Sequence, residues 1–260
     1  MLNAPVAIYA LKLGKDVYVE KPMAVSLRDA DKILELEKST GANVYVLEQV
    51  VYSKAWDKLK KILRSGGIGE PVMYDKLSHG LLAHGADEWG YGDAKWRINA
   101  EFPLGALFDG GIHAIALLAR FFGAPESVYA RGQSFRKNYG RYDNINMMFE
   151  YKNGLQGFFS FSAFLGGKRN YFHIRGTKGL VVLEDRKLTV EYKNGGSRIY
   201  DPKEGPENNP HFNMWKSITA AHLAGKTPIY TTEMARRDIY TLLCVEKSLK
   251  TGKKIKIQEL

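Results

Sequence analysis

The stretch GKDVYVEKPMAVSLRDADKILELEKSTG, Gly14 to Gly41, continues into Ala42-Asn43-Val44-Tyr45-Val46-Leu47 and decides the fold. Asp16 to Val19 reads as a short apolar strand that runs directly into Glu20-Lys21-Pro22. Ser26 is a helix N-cap, with an acid three residues on, and the helix it opens extends to about Thr40. Gly41 stops that helix, and Asn43 to Leu47 forms a second buried strand. Upstream, residues 5–13 (PVAIYALKL) predict a helix with Pro5 in its first turn and Gly14 closing it. This alternation marks a parallel sheet covered by helices. Only two strands precede a change of pattern near residue 50, so both expect neighbours.

Beyond that point the order differs. A helix is predicted over residues 54–64, followed by the Gly66-Gly67-Ile68-Gly69 turn and a strand over 72–78. A polar, aromatic loop then runs to about residue 100. From Val128 to Tyr200 the chain is mostly strand, with hairpin signals at Asn153-Gly154 and Asn194-Gly195. Leu155, Phe159, Phe161 and Ala163 share one face, and Gln156, Ser160 and Ser162 the other. The result is a broad antiparallel sheet with helices on one face, and Phe158 and Phe164 are offered to a second subunit on its other face. After a loop over 201–210, helices are predicted over 211–224 and 232–251 and a strand over 254–257. The fold class is α/β followed by α+β.

Residues 94–123, AKWRINAEFPLGALFDGGIHAIALLARFFG, hold the candidate chemistry. Asp109 and His113 lie four apart, and so project from one face of a helix that ends at Gly123. A carboxylate beside an imidazole is a general-base pair, the acid orienting a ring whose natural pKa suits proton transfer near neutrality. The plainer alternative is an acid at the positive end of a helix dipole beside an ordinary buried histidine.

Composition narrows the classes. The 260 residues are 45% hydrophobic and 25% charged, with a net charge of +10 and one cysteine, Cys244. A single cysteine excludes an internal disulfide and a Cys-rich zinc site, and its apolar helical setting predicts a buried structural thiol. The basic residues are scattered, without a nucleic-acid-binding motif, and no nucleic-acid partner is expected. No run approaches a membrane span, and the opening segment lacks a signal-peptide pattern, so a cytoplasmic protein is expected. His79 and His84, five apart in a loop, have no third ligand placed by spacing, so no metal is expected.

The Glu-Lys-Pro stretch after the first strand resembles the signature of the glucose–fructose oxidoreductase/inositol dehydrogenase (Gfo/Idh/MocA) family. Ser65 to Glu70 resembles the turn opening that family's second domain, and Trp96-Arg97 with Gly105, Asp109, Gly111 and His113 resembles its WR…G…D-x-G-x-H stretch. The resemblance implies residues 1–50 as the remnant of an NAD(P)-binding Rossmann domain and 51–260 as an α+β substrate and oligomerisation domain. It implies catalytic roles for Lys21, Asp109 and His113, and cofactor contacts for Glu20, Lys21, Trp96 and Arg97. Lys21 would stabilise alkoxide charge, His113 would act as general acid/base, and Asp109 would bind substrate and orient His113. The implied activity is NAD- or NADP-dependent hydride transfer at a sugar or polyol hydroxyl carbon, in a homo-oligomer (dimer or tetramer). A non-catalytic sugar-binding or protein-interaction relative is the alternative.

Three departures from the family pattern stand out. Phe102-Pro103-Leu104 replaces a glycine run, and Ala116 replaces a second carboxylate. The Gly-x-Gly-x-x-Gly turn that holds the cofactor's pyrophosphate is absent. Half a dinucleotide site is therefore expected, the other half coming from an upstream segment or a partner chain.

Overall fold

Two sheets organise the computed structural model, which describes residues 2–80, 104–135, 141–163, 165, 169–184, 187–200 and 209–258. The first sheet is small. Helix α1 (Asn3–Lys12) leads to β1 (Val17–Glu20), α2 (Leu27–Thr40) and β2 (Val44–Leu47). As the sequence requires, Ser26 Oγ caps α2 by accepting from the Asp29 amide, and Gly41 ends it in the left-handed region at φ 73°. Strands β1 and β2 pair in parallel, from Val17 opposite Val44 to Glu20 opposite Leu47. Every residue of β2 is buried, whereas β1 alternates. Two boundaries differ from expectation: α1 starts at Asn3, ahead of Pro5, and Glu20 belongs to β1. A 3-10 turn (Gln49–Tyr52) that the sequence pattern does not announce leads into α3 (Lys54–Arg64).

The second sheet has nine strands: β3 (Pro71–His79), β4 (Ser127–Gln133), β5 (Asn144–Glu150), β6 (Gln156–Ser162), β7 (Arg169–Gly176), β8 (Gly179–Glu184), β9 (Lys187–Tyr192), β10 (Ser197–Tyr200) and β11 (Ile255–Lys256). Their order is β10-β9-β8-β7-β3-β6-β5-β4-β11. All pairs are antiparallel except β3 with β6, because β3 enters the centre of the sheet from outside the meander. The expected hairpins form, with Gly154 and Gly195 both at positive φ. His79 lies in β3, against the loop expected for it, and its Nε2 is 2.7 Å from Ser160 Oγ. His84 and Phe164 fall outside the described residues.

One buried row crosses seven strands at matched register: Val128, Phe149, Gly157, Tyr74, Ile174, Val181 and Val190. The glycine in this row is required by its neighbour. A Cβ on Gly157 would come within 2.0 Å of the Tyr74 ring. That ring cannot retreat, because it stacks on Phe122 at 5.1 Å and its hydroxyl is 3.0 Å from that of Tyr151. The opposite face is open in part. Phe158 is half-buried between Met148 and Asp75, and Met148 is exposed. Ser160 and Ser162, expected on that polar face, are buried by local hydrogen bonds to Asn146 and the Leu165 amide.

Helices α4 (Ile112–Phe122) and α6 (Thr232–Thr251) pack on the buried face, while α5 (Pro210–Leu223) packs on the 3-10 turn and sets Trp215 and His222 beside Tyr18 and Tyr45 of the small sheet. Helix α6 packs on α2, α4 and β4, and so ties the two sheets together. Cys244 on α6 is buried as expected, and burial pushes its thiol pKa up. No described helix is long and apolar enough to cross a membrane. Asp238, also on α6, is wholly buried, accepting from the Tyr230 hydroxyl at 2.8 Å and from Arg237 at 2.8 and 2.9 Å. Burial pushes its pKa from 3.8 up to about 6, against the pull of Arg237.

Two outcomes are expected. Gly157→Ala should lower stability by about 1–3 kcal/mol, the cost of overpacking a filled core, read as a shifted denaturant midpoint. For Asp238, the folded state keeps a proton between about pH 4 and 6 that the unfolded chain has lost. Stability should therefore fall as pH rises through that window, by on the order of 3 kcal/mol. Asp238→Asn should remove that slope, so the wild-type-minus-variant difference falls from pH 4 to pH 7, and a flat difference would refute the assignment.

Candidate active site

Lys21 and Glu48 each follow immediately on the last residue of a strand, and those last residues, Glu20 and Leu47, are register partners. The two charged residues therefore leave the carboxyl edge of the small sheet side by side. Ligands bind at this edge in open parallel sheets. The chain leaving β1 is held by Asn3, whose side-chain amide donates to the carbonyls of Glu20 and Pro22. The Lys21–Pro22 peptide is cis.

Across from this edge, Leu107–Gly111 forms a π-helical turn before α4, where the sequence pattern predicts plain α-helix. Such turns recur at functional sites. Gly111 permits this one, since a Cβ there would fall 2.2 Å from Leu107 Cδ1. The turn carries Asp109, and the first turn of α4 carries His113.

Two bridges join these elements, one a lysine–carboxylate ion pair and the other a carboxylate–imidazole contact. Lys21 Nζ donates to the Asp109 backbone carbonyl at 2.9 Å and to Asp109 Oδ1 at 3.1 Å. Their side chains are only 12% and 7% exposed. Glu48 Oε1 lies 2.5 Å from His113 Nδ1 and also accepts from the Val50 amide at 3.3 Å. The Glu48 side chain is fully buried, while the imidazole is 24% exposed. Among the described residues, Glu48 Oε2 has no hydrogen-bond partner. An ammonium has three donors, and among the described residues Lys21 spends two, both on Asp109.

Behind Glu48 stand Tyr52, Tyr230 and Asp238. All three have raised pKa values from burial first, with a smaller upward push from the Glu48 charge; for Tyr52 the value is about 12. This side of the site is closed to water.

The structure thus brings Lys21, Asp109 and His113 together. It differs from the expected wiring in one respect: Asp109 Oδ1 holds Lys21, and the Nδ1 side of His113 is taken by Glu48. Glu20 is exposed beside the site. Trp96 and Arg97 lie outside the described residues. Ala116 is buried in α4. Sequence reasoning missed Glu48, although a signal was present: a charged residue directly after the apolar run VYVL, mirroring Glu20-Lys21 after VYV. Among the described residues no cluster of three or more His, Cys, Asp or Glu side chains is arranged to hold a metal ion.

Comparison with known proteins bears on the fold and the family. A Saccharomyces cerevisiae protein, YMR315W, is 28% identical over 97% of this chain and 74% of its own length. Mouse trans-1,2-dihydrobenzene-1,2-diol dehydrogenase is 26% identical over 75% of this chain, which spans 56% of that enzyme. An inositol dehydrogenase homologue from Azotobacter vinelandii, solved with NADH and myo-inositol, superposes with a TM-score of 0.82 over 98% of this chain and 75% of its own, at 18% identity. Residues 1–48 match the oxidoreductase family's NAD-binding Rossmann fold, and residues 56–182 match the GFO/IDH/MocA C-terminal domain. With two thirds of its length matched in order by the two parts of one family, the chain belongs to the GFO/IDH/MocA oxidoreductases.

Proposed function

We propose that this chain carries the catalytic edge of an NAD- or NADP-dependent oxidoreductase acting at a hydroxyl-bearing carbon of a sugar or polyol. The observation that carries the reading is the pair of bridges. Among the described residues, a cation with one donor unspent and an imidazole engaged on one nitrogen stand at the carboxyl edge of a parallel sheet. That donor set suits the nicotinamide end of a dinucleotide, with Glu20 and Lys21 as the contacts on the described residues and Trp96 and Arg97 as the family-implied ones. The cofactor supplies the hydride acceptor or donor.

The chain's own groups handle the oxygen. His113 takes the proton as the alcohol becomes a carbonyl, or returns it in the reverse direction. Lys21 stabilises negative charge developing on that oxygen, and Asp109 keeps the ammonium in place. The buried wall of Tyr52, Tyr230 and Asp238 excludes water on the inner side and so strengthens these interactions. We take residues 1–50 as the Rossmann remnant and 51–260 as the substrate and oligomerisation domain. We also propose that the open sheet face around Phe158, Met148 and Tyr129 pairs with a second copy.

Titration of NADH and NADPH, followed by fluorescence, tests the cofactor reading. Micromolar binding is expected for the chain, alone or joined to a Rossmann half bearing a Gly-x-Gly-x-x-Gly turn. The absence of binding in both forms up to millimolar cofactor would sink the proposal and favour a non-catalytic sugar-binding relative. In the form that turns over polyols, Lys21→Met should lower kcat by about 100- to 1,000-fold, the usual loss on removing one charge-stabilising donor. Met148→Glu should reduce the mass measured by light scattering to that of the monomer, with the fold intact by circular dichroism.

A further inference from the structure

We propose that Glu48 is the positioning residue for His113, holding the proton on Nδ1 so that Nε2 presents a lone pair to the open side of the site. The tautomer follows from the contact with Glu48 taken as a carboxylate; its use in catalysis rests on the oxidoreductase reading above. An ionised carboxylate only accepts hydrogen bonds, so a 2.5 Å contact between Glu48 Oε1 and His113 Nδ1 places a hydrogen on that nitrogen. The neutral ring carries one N–H, and Nε2 is then the free acceptor. The same oxygen accepts from the Val50 amide, which fixes the carboxylate at the start of the 3-10 turn. The partly exposed ring and the fully buried acid give the pair an inner and an outer end.

In the forward reaction the hydroxyl proton passes to Nε2. The C–H bonding pair leaves as hydride to an oxidised nicotinamide, and the carbon–oxygen double bond forms. His113 becomes an imidazolium, and the Glu48 charge offsets that cation on the buried inner side of the ring. The logic is that of an acid, an imidazole and a reacting hydroxyl in line, in which the acid orients the ring and stabilises its charged form without itself taking the proton.

The test uses long-range 15N–1H correlation spectra of the intact chain, with His113 assigned by comparison with His113→Asn. Wild type should show the Nδ1–H tautomer, and Glu48→Gln should lose that preference, since an amide can either donate or accept. A wild-type ring protonated at Nε2, or a tautomer unchanged in Glu48→Gln, would overturn the proposal. In the form that turns over polyols, Glu48→Gln should lower kcat by about 100-fold or more with KM little changed, and Glu48→Asp should recover part of the loss. A change confined to thermal stability, with kcat intact, would assign Glu48 a structural role and overturn the proposal. The two readings fail separately. An Nδ1–H ring in a chain that binds no nicotinamide removes the oxidoreductase reading alone, and an active enzyme with an Nε2–H ring removes this one alone.

Discussion

The site depends on a match between two spacings. Neighbouring strands in a sheet lie about 4.8 Å apart, and residues one helical turn apart are separated by about 5–6 Å. Lys21 and Glu48 occupy equivalent positions at the ends of two paired strands, and Asp109 and His113 occupy adjacent turns of the facing helical segment. Each strand end therefore meets one helical turn, and in each meeting a donor faces an acceptor: the Lys21 ammonium faces Asp109, and the His113 ring faces Glu48. A shift of either element by one residue would break both bridges. The register of the small sheet and the phase of the π turn must therefore agree, although 88 and 65 residues of chain separate the paired groups.

Burial makes that agreement costly to lose. Removing one partner of a buried ion pair typically costs about 3–5 kcal/mol, because the remaining charge stays desolvated. Lys21 and Asp109 carry this cost as a pair, and Glu48, fully buried, has only one oxygen engaged among the described residues. Helix α6 and the Tyr230 segment before it form the wall that keeps it dry. Their own buried carboxyl, Asp238, is spared part of the penalty by Arg237 and Tyr230 and part by holding its proton up to about pH 6. Two buried carboxyls, Glu48 and Asp238, thus stand in a dry wall behind the His113 ring.

The fold was legible in the sequence wherever local signals agreed with tertiary ones. Ser26, Gly41, Gly123, Gly154 and Gly195 fall where their chemistry places them, and the buried and open faces of β6 follow alternation up to Ser160. Lys21, Asp109 and His113 were legible through order and motif. The wiring between them was not. Spacing along the chain pairs Asp109 with His113, and only the parallel register of β1 with β2 shows that Glu48 stands next to Lys21. The π turn was equally hidden, since an i to i+5 turn and an i to i+4 turn share the same apolar pattern over five residues. His79 was misread because a strand that crosses the centre of a sheet has both faces partly covered, which weakens alternation.

The same geometry accounts for the division of labour between the two carboxylates. Asp109 sits beside a cation that keeps one donor unspent among the described residues, so its charge is neutralised while Lys21 remains able to meet an oxygen. Glu48 sits beside an imidazole engaged on one nitrogen among the described residues, so its charge acts through the ring. In the proposed reaction one acid holds the group that would stabilise negative charge, and the other holds the group that would move the proton. Exchanging the two acids would leave the composition of the site unchanged but not the proposed roles, because these belong to the positions at the strand ends and on the π turn, where one bridge holds an ammonium and the other an imidazole.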